Sequence, residues 1–377
     1  MMVSRRAAAF ISIAALIASA CSSTATPAPT TAPTTAPVTA APTTAPVTAA
    51  PCVVGVSWNN YQEERWAKWD EPAIKKALAA AGATYISNDA KSSADTQLSN
   101  VDALINQGAK VVIILAQDGT AIKPAVAKAL AAGVPVIAYD RLIEDPGAFY
   151  ITFDNVLVGK LQAAALLKVK SSGNFVVIKG NKADANADFL RAGMVQAGVP
   201  AVGQSTDALK NVGETYTDNW DPANAQNEMA QFLTKNNNKI DIAFVENDGM
   251  AGGVIAALKS QGLAGTVPVS GQDGDAAALN RVALGTQTVD VWKDARLLGD
   301  AAGSAAVQLC AGTAMAAIKT TEGASAKFAT PGGNSLNSIL ITPEAITKDN
   351  LTDVLNAGWI DKATLCKDVA AGAVTGC

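Results

Sequence analysis

Histidine is absent from the 377 residues of this chain. Ser-His-Asp triads, HExxH zinc sites and imidazole general bases are excluded with it. Charge is also scarce, at 16% of residues, and no basic excess exists: 29 Lys and Arg stand against 33 Asp and Glu, a formal charge of −4. Without a basic footprint there is no case for a nucleic-acid partner. No cysteine pair has CxxC spacing, which removes the common zinc and redox motifs. The apolar stretch from Ala7 to Ala18 is too short to span a bilayer. What the chain does have is apolar residues, 49% of the total, enough for well-buried strands and too many for disorder beyond the N-terminus. At this length two lobes are expected rather than one core.

The N-terminus reads as an export signal over 1–20, with Arg5-Arg6, the apolar stretch and a small-residue site just before Cys21. Cys21 stands where a bacterial lipoprotein carries its lipid, although Ala18-Ser19-Ala20 also reads as an ordinary A-x-A cleavage site. From 21 to 51 the chain is nearly all Thr, Ala and Pro, and TTAPVTAAP occurs at 34–42 and again at 43–51. Such a segment is an extended spacer, reaching at most about 3.1 Å per residue. With Cys21 set aside as a lipid site, four cysteines remain. Cys366 and Cys377 are the expected pair, closing a short loop, and Cys52 with Cys310 follows only by elimination. The stapled tail is expected to stand apart from any binding group.

Beyond the spacer, short continuous apolar runs alternate with helical segments, the pattern of strands buried on both faces of a parallel sheet. Strands are expected at 53–57, 84–87, 110–115, 134–138 and 150–153, then at 175–178, near 201–205, and at 241–245, 267–270 and 288–291. Helices are expected near 63–81, 93–107 and 120–132, with Gly82, Gly108 and Gly133 closing them. A further helix at 297–311 and a strand at 338–341 would fit interleaved lobes joined by several crossings, a topology that pattern alone leaves open. Two βα arrays of similar size predict an α/β fold of two doubly wound lobes, with a ligand between the carboxyl ends of their strands. Ala138-Tyr139-Asp140-Arg141 and Val269-Ser270-Gly271-Gln272-Asp273 each follow an apolar strand at such an end. An ionised group there must find a partner, and a polyhydroxylated ligand would supply one.

Glu64-Arg65-Trp66, Ala138-Tyr139-Asp140-Arg141, Phe153-Asp154-Asn155, Asn236-Asn237-Asn238-Lys239-Ile240-Asp241, Ser270-Gly271-Gln272-Asp273 and Gly285-Thr286-Gln287-Thr288 occur in this order. Together they resemble the D-xylose-binding proteins of ABC sugar importers, within the type I periplasmic binding proteins, from about Val53 to Lys348. The Thr/Ala/Pro tether and the Cys366 to Cys377 tail depart from that pattern, and residues 58–62 diverge. The resemblance implies two Rossmann-like lobes joined by a multi-crossing hinge, lobe 1 being 52–154 plus about 294–336 and lobe 2 being 155–293 plus about 337–377. It further implies sugar contacts from Arg65, Trp66, Asp140 and Arg141 in the first lobe, and from Asp184, Asn186, Trp220, Asn247, Asp273 and Lys293 in the second or its hinge. No catalytic residue, cofactor or metal is implied. The partners would be a monosaccharide such as D-xylose, an ABC permease and, through Cys21, a membrane, with the protein itself a monomer.

Each residue also has a plainer role open to it. Asn247, Asp248 and Asp273 precede helices and could be N-caps, and Asp140-Arg141 could be a surface ion pair. Trp220 could staple the helix after Asp221-Pro222. Arg65 and Lys293 could be solvated charges. Two other functions stay open: a secreted glycoside hydrolase using Asp140, Asp184 and Asp273, which would need two carboxyls at a defined separation, and a sugar-sensing receptor with no transport role.

Overall fold

The structure, a computed structural model, describes residues 51–377. The expected signal segment, Cys21 and the tether through residue 50 lie outside the described residues. Two groups of strands organise the rest. The first is seven-stranded, and its buried middle is built from the β-branched runs Val111–Ile114 and Val136–Tyr139 beside Val53–Trp58 and Ala148–Phe153. These strands pair in parallel, as continuous apolar runs covered on both faces should. Thr84–Asp89 closes one edge, and the antiparallel strand Ala326–Ala329 closes the other.

In the second lobe Gly173–Lys179 pairs with Leu209–Tyr216 on one side and Ile242–Val245 on the other. A bridge from Ala243 to Val269 joins them to a three-stranded set made of Ser270–Gln272, Val289–Trp292 and Glu344–Ile346. The chain passes between lobes after Phe153, after Trp292 and after Ile341, the multi-crossing hinge of the expected α/β fold. Every one of these passages leaves the carboxyl end of a strand, so all of them border the cleft. Among the described residues no helix is long and apolar enough to cross a membrane.

Three expectations need correction. No strand forms near 201–205; that stretch is exposed, with Gly203 at φ +69, and the strand is Leu209–Tyr216. It lies at a sheet edge, so it is only half buried and shows no apolar run. The strand expected at 267–270 begins at Ser270 instead. The last crossing falls after Ile341 rather than near 336, because Ser335–Ile341 pairs in parallel with Ala148–Phe153 and extends the first sheet.

Both expected disulfides form. Cys52 with Cys310 ties the first strand to the end of helix Ala295–Cys310, and Cys366 with Cys377 closes the tail.

Candidate functional site

The two loops singled out above leave their strands in strained turns. Asp140 has φ +61 and the Arg141 N–H donates back to the Tyr139 carbonyl at 2.6 Å, a γ-turn of the rarer hand. Asp273 has φ +106. Non-glycine residues hold such angles only where their surroundings impose them, and they concentrate at functional sites. Gly274, at φ +82, follows Asp273 where any Cβ would strike the Trp292 and Trp359 rings.

Nine of the ten expected residues line one cavity at this cleft: Trp66, Asp140, Arg141, Asp184, Asn186, Trp220, Asn247, Asp273 and Lys293. Its empty volume, counted with its opening to solvent, is about 260 Å³. The tenth, Arg65, is buried behind the wall, where it grips Asp70 through two hydrogen bonds of 2.9 and 3.0 Å. Its other nitrogen lies 3.2 Å from Asp140 and 3.4 Å from Asp273, so one guanidinium fixes carboxylates from both lobes. Burial opposes its charge, yet the three acids hold its pKa well above the ordinary value. Arg141 crosses the cleft too, with Asp184 at 2.9 Å and Glu63 at 3.2 Å. Lys293 lies 3.7 Å from Asp273.

The plainer roles divide among the residues. Asn247 does cap its helix, accepting from the Met250 N–H, while also lining the cavity. Asp184 likewise caps Ala185–Gln196. Asp248 is not a cap but lies buried beneath the Asp273 loop, accepting from the Gly274 and Asp275 N–H groups. Asp140 and Arg141 are both 4% exposed and pair with other residues, so they are no surface ion pair. Arg65 and Lys293, at 1% each, are not solvated.

Two wall residues escaped sequence reasoning: Glu63 and Gln272. Glu63 accepts from Trp66 Nε1 at 2.7 Å, and burial raises its pKa against the pull of Arg141. Its place two residues before Arg65 was the available signal. Gln272 stands inside a quoted motif, directly before Asp273. The segment before the stapled tail also reaches the site from behind: Trp359 Nε1 donates to the Gly274 carbonyl at 2.6 Å.

Three buried atoms of the wall have no hydrogen-bond partner in the protein: Asp140 Oδ2, Gln272 Oε1 and Trp220 Nε1. Asp140 Oδ2 is near Arg65 in charge but not aligned with any of its N–H bonds. Buried polar atoms are rarely left so, and two acceptors with one donor are what hydroxyl groups can satisfy. Every candidate acid for a hydrolase is held by a cation, Asp140 and Asp273 by Arg65 and Asp184 by Arg141. A larger groove, near Val267, Pro268 and Thr288, lies at the starting ends of the second lobe's strands, away from the carboxyl ends where open α/β sheets bind ligands.

Burial pushes the carboxyls of Asp70 and Asp184 up to about 6 against the pull of their arginines, and that of Asp290 up to about 8. Burial raises both Asp290 and Asp248, with Asp273 adding repulsion at each and Arg281 opposing the rise at Asp248. Each acid binds its proton more tightly folded than unfolded. The stability they contribute is full below about pH 4 and is lost as pH rises through about 6 and then about 8. The melting temperature should fall between about pH 5 and pH 9. Asp290→Asn, which removes that titrating carboxyl, should remove the part lost near pH 8; a profile identical to that of the unaltered protein would show that Asp290 does not carry it.

Comparison with known proteins agrees with this geometry. Residues 54–314 match the model of the periplasmic binding protein domain. The chain is 38% identical over 303 residues to the D-xylose-binding periplasmic protein of Escherichia coli, spanning 80% of this chain and 88% of that one. It is 32% identical to the protein of the same name from Haemophilus influenzae, over 83% and 91%. Among solved structures, a carbohydrate transporter solute binding protein from Chloroflexus aurantiacus in complex with D-glucose superposes with a TM-score of 0.73 at 28% identity, covering 84% of this chain and 98% of that one. With a family match over most of its length and the two-lobed fold to accompany it, the chain belongs to the periplasmic binding protein family.

Proposed function

We propose that this protein is the extracytoplasmic substrate-binding component of an ABC importer, closing its lobes around D-xylose or a related monosaccharide and presenting it to the permease. The observation that carries the reading is that Asp140 Oδ2, Gln272 Oε1 and Trp220 Nε1, on residues lining one cavity, have no hydrogen-bond partner in the protein. Sugar hydroxyls both donate and accept, so one ring can satisfy all three while the arginines and Lys293 donate to its remaining oxygens. Trp66 and Trp220 offer apolar faces to the C–H side of a pyranose. A Kd near 1 μM needs about −8.2 kcal/mol, or about −0.8 kcal/mol for each of a pentose's roughly ten non-hydrogen atoms, within the ceiling for small ligands.

Contacts from both lobes exist only when the cleft is shut, so the ligand shifts the population toward the closed form. A thermal-shift panel on ligand-free protein tests the reading: D-xylose should raise the melting temperature in a saturable way. No shift with any common monosaccharide would remove it. The same reading places the protein at a membrane through lipid on Cys21 and the tether after it. Mass spectrometry of the mature N-terminus tests that part, an unmodified Cys21 contradicting it.

A further inference from the structure

A ring stack connects the two lobes behind the cavity. Trp69 belongs to the turn Trp66–Asp70, which follows directly on Arg65. Its ring lies 4.4 Å from that of Trp359, the planes 20° apart. Trp359 follows the short helix Leu351–Asn356 and packs in the second lobe's core with Leu279, Val282 and Ile346. It meets Trp292 edge to face at 5.6 Å, one residue before Lys293, and its Nε1 holds the Gly274 carbonyl. Arg296 covers both stacked rings, 5.5 Å from Trp69 and 5.3 Å from Trp359, while Asp294 and the Ala357 carbonyl fix its guanidinium.

We infer that Trp359 is a positioning residue for the sugar site, and that with Trp69 it forms an aromatic bridge made when the lobes close. The inference rests on the monosaccharide reading above. One side of the bridge continues the segment carrying Arg65 and Trp66; the other supports the loop carrying Asp273. Neither tryptophan lines the cavity, so neither touches the ligand. Any hinge motion that parts the lobes separates the stacked faces and leaves the partly exposed Trp69 ring to water. The stack therefore stabilises the closed form over the open one, and the C-terminal segment becomes part of ligand capture.

The stacking preference of an aromatic pair corresponds to about two- to twelvefold in a binding constant. Trp69→Ala should weaken D-xylose binding by that factor, mainly through faster dissociation, with little change in the melting temperature of ligand-free protein. Trp69→Phe should recover most of the affinity. Trp359→Phe keeps a ring but loses the bond to Gly274, and should weaken binding even where Trp69 is intact. Calorimetry and stopped-flow dissociation on the full-length protein provide the readouts. If the unaltered protein binds D-xylose and Trp69→Ala binds it with the same affinity and dissociation rate, the bridge is overturned while the sugar reading stands. Failure of Trp69→Phe to recover binding, or loss of ligand-free stability in Trp69→Ala matching its loss of affinity, would also overturn it. An unaltered protein that binds no monosaccharide overturns both.

Discussion

Arg65→Ala should cost about 3–5 kcal/mol of folding stability, the loss typical of removing one partner from a buried ion pair. Arg65 is 1% exposed and is the shared partner of Asp70, Asp140 and Asp273. Without it, Asp70 keeps the Tyr139 hydroxyl as a donor, but Asp140 loses its ion-pair partner while its Oδ2 has no hydrogen bond from the protein. The folded chain must then protonate these acids or open the cleft to water. Arg65→Lys keeps the charge and loses the fork that holds two Asp70 oxygens at once, so it should restore stability only in part. Chemical denaturation measures both variants. A loss below about 1 kcal/mol for Arg65→Ala would mean that the cluster relaxes freely and does not define the site.

Arg141→Ala should weaken D-xylose binding by at least tenfold while the ligand-free protein stays folded. Arg141 donates to the Ala116 carbonyl in its own lobe and pairs with Asp184 in the other. Truncating one member of a buried hydrogen-bonded charge pair at an interface costs about 2–5 kcal/mol, and about 1.4 kcal/mol is already a tenfold change in Kd. Part of that cost falls on Asp184, which is left without its cation in a site where burial already raises its pKa. Asp273→Ala should act in the same direction, since it removes the partner of both Arg65 and Lys293. Calorimetric affinities within twofold of the unaltered protein would take Arg141 out of the site.

The parallel sheets were legible because runs such as Val111–Ile114 and Ile242–Val245 are apolar throughout, a pattern that buried parallel strands share. Asp140, Arg141 and Asp273 were legible for the opposite reason, as charged groups just past an apolar strand with no core to accept them; the other cleft residues were named only by the family resemblance. Leu209–Tyr216 was not, because an edge strand with half-buried, mixed residues carries no such run. Glu63 and Asp70 were missed because their partners, Arg141 and Arg65, lie 78 and 5 residues away, and polar pairing leaves no periodic trace. The contact of Trp359 with Gly274 spans 85 residues, and only the fold brings a tail tryptophan behind the Asp273 loop.

The central claim is that the cleft between Asp140 and Asp273 takes one monosaccharide. Isothermal titration of D-xylose into ligand-stripped protein, repeated with Asp273→Ala, tests it most directly. One sugar should bind per chain, with Kd of order 1 μM or tighter, and the variant should bind at least tenfold more weakly. Absence of saturable heat with D-xylose and with related pentoses and hexoses, from protein shown to be folded, would contradict it.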